Sequence, residues 1–91
     1  MTARKTFRIK CDAISYRKGF LEVSAKIHAG CVNIEAWEID AETNITDVEW
    51  VDDLSIADSS VVGSTELELT VNQVRKLAAA LLAAADSMDD R

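Results

Sequence analysis

The sequence predicts an α+β domain: an antiparallel sheet of four or five strands with one C-terminal helix packed on one face. Apolar and polar residues alternate through most of the first 70 positions, the period of half-buried strands. A three- and four-residue apolar spacing then appears once, at the end, as one amphipathic helix. At 91 residues there is room for a single core, so strands followed by a helix imply one domain in which helix covers sheet. The sheet is expected over residues 5–70 and the helix over 71–88.

The first strand is expected from Thr6 to Tyr16. Phe7, Ile9 and Cys11 share one parity and Ile14 and Tyr16 the other, so a β-bulge near Asp12-Ala13 would turn both sets to the core. A turn around Arg17-Lys18-Gly19 then leads into a partner strand at residues 20–28. The hairpin FLEVSAKIH-AG-CVNIEAWEI follows, with Ala29-Gly30 as a two-residue turn in which glycine supplies positive φ. That turn sets Ile27 opposite Val32, Ala25 opposite Ile34, Val23 opposite Ala36 and Leu21 beside Glu38 on an apolar face. The mixed face then pairs His28 with Cys31, Lys26 with Asn33, Ser24 with Glu35, Glu22 with Trp37 and Phe20 with Ile39. Such a sheet is covered on one side.

After a polar loop at Asp40–Asn44, a strand is expected over Ile45–Val51, then a loop over Asp53–Gly63. Ser64–Leu69 alternates again, with Leu67 and Leu69 inward and Glu66 and Glu68 outward. Thr70-Val71-Asn72-Gln73 fits a capping box that starts the helix. Val71, Val74, Leu77, Ala78, Leu81, Leu82, Ala85 and Met88 form its apolar stripe, and alanines at 78–80 and 83–85 keep it slim against a sheet. On parity, Trp37 lies opposite the helix face and Trp50 nearer the core.

The segment ELELTVNQVRKLAAALLAAAD, residues 66–86, resembles the C-terminal strand-cap-helix of small uncharacterised proteins from high-GC bacteria and their phages, which follow a pattern like LT..Q...LAAALL.AAD. The resemblance covers about a fifth of the chain. It implies a helix-on-sheet fold and an origin, and it brings no activity and no site residues.

Charge is segregated along the chain. Residues 1–26 hold seven Lys/Arg against Asp12 and Glu22, and residues 27–74 hold eleven Asp/Glu with no Lys or Arg, within a net charge of −6. The acids alternate with Ile, Val, Trp and Leu, so they belong to a folded surface. A pI near 4.6 argues against direct nucleic-acid binding. The basic cluster Arg4, Lys5, Arg8, Lys10, Arg17 and Lys18 has two readings, local contact with phosphate and, the one favoured, solubilising the first hairpin while partly offsetting the acids next to it.

Chemical motifs are scarce. His28 beside Cys31 is the one candidate dyad, without a third group to orient it or an oxyanion loop. Asp40, Glu42 and Asn44 have the 1-3-5 spacing of a calcium loop, but Ile45 replaces the turn glycine and Val51 the closing Glu. Cys11 and Cys31 have neither zinc nor disulfide-framework spacing, so no metal or cofactor is expected and free thiols are the default. Neither a signal peptide nor a membrane span is legible, which points to the cytoplasm.

The expectation is therefore a binding protein and not an enzyme. Glu35, Trp37, Glu38, Asp47, Glu49, Asp52, Asp53, Glu66 and Glu68 are its candidate binding residues, with carboxylates repeating along strands at spacings like those of backbone phosphates. In size, acidity and lack of catalytic motifs the chain is similar to small acidic phage inhibitors of the anti-CRISPR and anti-restriction type. That similarity implies a partner with a basic groove, such as a nucleic-acid-binding complex. The alternative is a structural domain that self-associates through its sheet as a homodimer.

Overall fold

A computed structural model describes residues 5–25 and 27–89. Four strands, β1 (Thr6–Cys11), β2 (Lys18–Ala25), β3 (Cys31–Ile39) and β4 (Val61–Thr70), form an antiparallel sheet in the order β1-β2-β3-β4, followed by helix α1 (Val71–Asp89). The α+β class and the C-terminal helix are as expected, and the sheet has four strands.

β1 ends at Cys11, where it faces Gly19, and residues 12–17 connect to β2. The expected extension to Tyr16 with a bulge at Asp12-Ala13 is absent, because a turn closed by the Arg17 amide on the Ile14 carbonyl breaks the strand first. A register shift occurs elsewhere, between Glu38 and Ile39 against β4.

The β2–β3 turn does centre on Ala29-Gly30, with Gly30 at φ 77° and the Cys31 amide donating to the His28 carbonyl. Pairing resumes only at Ala25–Val32, so the register is Val23–Ile34, Leu21–Ala36, Ser24–Asn33, Glu22–Glu35 and Phe20–Trp37. The expected pairs are thus displaced by two residues. Alanine does not favour the positive φ that a tight two-residue hairpin turn needs at its first central position, so the connection is longer. A two-residue slip preserves which side chains share a face. Lys26, expected opposite Asn33, lies outside the described residues.

The expected strand at Ile45–Val51 is not formed. Residues 40–60 instead make successive tight turns, with amides of Val48, Asp53 and Ile56 donating to carbonyls of Ile45, Trp50 and Asp53, and a single 3-10 turn at Asp58–Ser60. Turns of three residues put Ile45 and Val48 on one side, and together with Trp50 and Ile56 they are buried against Phe20 and Ile39 of the sheet. Trp50 meets Phe20 and Trp37 edge-on, at 5.4 and 5.3 Å between ring centroids.

The hydrophobic core therefore lies on the mixed face of the sheet, beneath this loop. The face expected to be the core is bare. Across it run the rows Phe7–Val23–Ile34–Leu67 and Ile9–Leu21–Ala36–Thr65, with Phe7, Ile9 and Leu67 more than half exposed.

α1 does not cover that face. Its contacts are with β4 and β3, none of its residues is buried, and Val74 alone is half-buried. The cause is the joint: β4 ends at Thr70 and α1 starts at Val71. Strand-to-helix reversals take about 2–6 linking residues. With none, the helix runs off the sheet instead of turning back onto it.

Candidate functional site

The capping box fixes that joint. The Gln73 amide donates to Thr70 Oγ1 at 3.2 Å and the Thr70 amide to Gln73 Oε1 at 2.9 Å, so the first helical turn closes directly on the last strand residue. The helix then presents its apolar stripe to solvent, with Leu81, Leu82 and Met88 each more than 60% exposed. Two apolar surfaces of one chain, sheet face and helix stripe, are thus both uncovered. Beside the β1–β2 connection the bare face carries an open groove of about 680 Å³ lined in part by Cys11, Tyr16, Leu21 and Glu38.

The opposite face is acidic away from the loop. Strand pairing sets Arg8, Glu22, Glu35 and Glu66 in one straight row across the four strands. Arg8 Nε donates to Glu22 Oε2 at 2.8 Å, and its guanidinium lies 4.5 Å over the Trp50 ring, tying the row to the loop. Among the described residues no cation pairs with Glu35 or Glu66. Partial burial first, then the charges of Glu66 and Glu22, hold the Glu35 pKa above its ordinary value. In the next row Ser24 and Asn33 are buried, and Asn33 Oδ1 finds no hydrogen-bond partner among the described residues.

The remaining candidates are distributed. Glu68 ends the Ser24–Asn33 row and its Oε1 lies 3.2 Å from His28 Nδ1. Trp37, expected on the side of the sheet away from the core, is half-buried against Trp50 at the core's edge. Glu38 sits on the bare face opposite Gly63. Asp47, Glu49, Asp52 and Asp53 are exposed on the loop, where Asp53 Oδ1 accepts from the Ser55 amide and hydroxyl, which lowers its pKa. Asp40 is likewise lowered, chiefly by its side-chain bond with Thr43. The structure thus brings Glu35, Glu66 and Glu68 together, places four acids on the loop above and puts Glu38 on the other side.

His28 and Cys31, expected to face each other, are not paired as strand residues but still flank the turn, with the Cys31 amide donating to the His28 carbonyl at 3.1 Å. His28 Nδ1 lies 3.2 Å from Glu68 Oε1, and Cys31 pairs with Thr70 of β4. Both cysteines are free thiols. Asp40 and Asn44 accept from amides of their own turns, at Thr43 and Thr46. Among the described residues no three His, Cys, Asp or Glu side chains gather so as to hold a metal ion, and no helix is long and apolar enough to cross a membrane.

Lys10, in the sequence only one member of the basic cluster, organises the loop. Its Nζ donates to the carbonyls of Ile45, Thr46 and Val48 at 3.0, 2.9 and 3.0 Å. Lys18 Nζ adds a bond to the Ala41 carbonyl at 3.2 Å. The basic hairpin thus anchors acidic chain through its backbone. Arg4 lies outside the described residues. No protein-family model, curated protein or solved structure matches the chain.

Proposed function

We propose that the chain is a small protein-binding domain whose working surface is the bare apolar face of the sheet together with the apolar stripe of α1. The observation that carries this reading is that both surfaces are uncovered at once, since contiguous exposed apolar area on a small domain marks an association site. A binder is favoured over an enzyme by the turn roles of Asp40 and Asp53, whose carboxylates are taken up by amides of their own turns.

A second reading is supported by the Glu22–Glu35–Glu66 row, whose members stand one strand spacing, about 4.8 Å, apart. In it the acidic face mimics nucleic-acid backbone and occupies the basic groove of a nucleic-acid-binding protein, as a phage-encoded inhibitor of host defence would do in the host cytoplasm. Salt separates the readings, because it screens exposed charge and leaves apolar association intact. Immobilised protein should retain polypeptide in high salt and lose it on Leu67→Lys. Retention abolished by salt and by Glu35→Gln with Glu66→Gln, but indifferent to Leu67→Lys, would replace the first reading with the second.

A further inference from the structure

We propose that the bare sheet face is covered by α1 of a second copy of this chain, in a two-fold exchange in which each helix lies along the other's sheet. This rests on reading the apolar face as an association surface, and it names the occupant. The joint supplies the first argument. A helix starting one residue after its strand cannot return to its own sheet, and a connection too short to fold back is the circumstance in which elements are exchanged between copies.

The dimensions agree. Nineteen helical residues span about 28 Å, and strands of eight to ten residues span about 26 to 33 Å. The surface area agrees as well. The chain exposes 7009 Å², whereas a compact monomer of 10.0 kDa exposes about 5,200 Å². The excess of about 1,800 Å² exceeds the roughly 800 Å² each partner contributes to a standard interface. The Cα radius of gyration of 15.0 Å likewise exceeds the roughly 12 Å of a compact chain of this length.

Charge sets the direction. α1 leaves from the end of the sheet where Val71 adjoins His28 and Gly30. If two copies meet at that end, each helix runs over the other's sheet toward its β1–β2 connection. Its C-terminal turn, with Asp86, Asp89 and the negative end of the helix dipole, then arrives at the groove, whose lining holds two cations, Arg17 and Lys18, against one acid, Glu38. The opposite direction would bring Arg75 and Lys76 there instead.

The test is the solution mass of the full chain, measured by sedimentation equilibrium with reductant present so that Cys11 cannot cross-link copies. The expected mass is twice 10.0 kDa. Leu81→Lys with Leu82→Lys on the helix, or Ile9→Lys with Leu67→Lys on the sheet, should each weaken dimerisation more than about a hundredfold. These side chains are exposed in the single chain, so tryptophan fluorescence and circular dichroism should report an intact fold. Mixing the two variants should restore a heterodimer, because one unmutated helix then meets one unmutated sheet.

A monomeric wild-type chain overturns the exchange, and so does a dimer that survives the helix substitutions. If a monomer still retains polypeptide that Leu67→Lys loses, the apolar face binds something other than its own copy and the broader reading stands. If it retains nothing, both fall.

Discussion

Replacing Lys10 by Met removes the ammonium group and keeps much of the side chain's apolar stem. Three carbonyls lose a charged donor at 2.9 to 3.0 Å. Bonds from a charged group are worth about 1.5 kcal/mol or more each, which sets a gross loss of about 4.5 kcal/mol. The Lys10 side chain is 26% exposed and the Thr46 carbonyl can be rehydrated, so a net loss of about 2–3 kcal/mol is expected. Against a total near 5–14 kcal/mol for 91 residues, this is a large fraction. Urea unfolding followed by tryptophan fluorescence reads it directly, since Trp50 is in the core and Trp37 against it. At a slope near 1 kcal/mol/M the midpoint falls by about 2–3 M with the slope unchanged. Protein concentration must be held fixed if the chain dimerises. Lys18→Met, which loses one bond to an exposed carbonyl, is the control, at about 0.5 kcal/mol. Equal losses for the two lysines, or a loss below about 0.5 kcal/mol at Lys10, would refute the claim that this ammonium holds the loop.

Three further outcomes are expected. A methyl at Gly19 runs into the Trp37 carbonyl oxygen, backbone against backbone, so Gly19→Ala should cost about 2–3 kcal/mol in the same titration, while Gly63→Ala meets only the flexible Glu38 side chain and should cost under about 1. The folded pKa of Glu35 lies above its unfolded value near 4.5, so the folded chain binds this proton more tightly, and its contribution is full below that value and lost as pH rises through the folded pKa. Glu35→Gln should accordingly stabilise by about 0.5 kcal/mol at pH 7 and by nothing below about pH 4; a gain independent of pH would exclude the charge row as its cause. Gln73→Ala opens the capping box and should lower helicity, measured by circular dichroism, with a loss of about 1 kcal/mol.

The local elements were legible because their signals are local. Alternation placed β2, β3 and β4, and the Thr70–Gln73 box placed the start of α1 to the residue. Trp50 is in the core as expected, but Trp37, expected on the side away from the core, packs against it, because the core formed on the other face of the sheet. What was illegible is which face the core occupies. Ile45, Val48 and Trp50 read as an alternating strand, and only the turn geometry shows that they fold over Phe20 and Ile39. Lys10 reaches carbonyls 35 to 38 positions away, and a backbone acceptor carries no residue type for a sequence to display. The direct joint between strand and helix was visible as LELTVNQ. Its consequence, a helix unable to return, follows from chain geometry and not from composition.

The charge map can be reinterpreted from the same particulars. Positive residues lead the chain and negative ones fill its centre, and the fold brings these two stretches together: Arg8 lies over Trp50, and Lys10 and Lys18 take the loop's carbonyls. Cations attach the loop through ring and backbone more than through its carboxylates, so the side chains of Asp47, Glu49 and Asp52 stay exposed to water. Those outward charges have a use in a chain with two bare apolar surfaces. A net charge of −6 opposes indiscriminate stacking, since each added copy brings more like charge. A closed pair that buries both apolar surfaces meets that repulsion once and leaves no apolar surface to extend the assembly. Acidity and exposed apolar area, opposed in a lone monomer, are compatible in a pair.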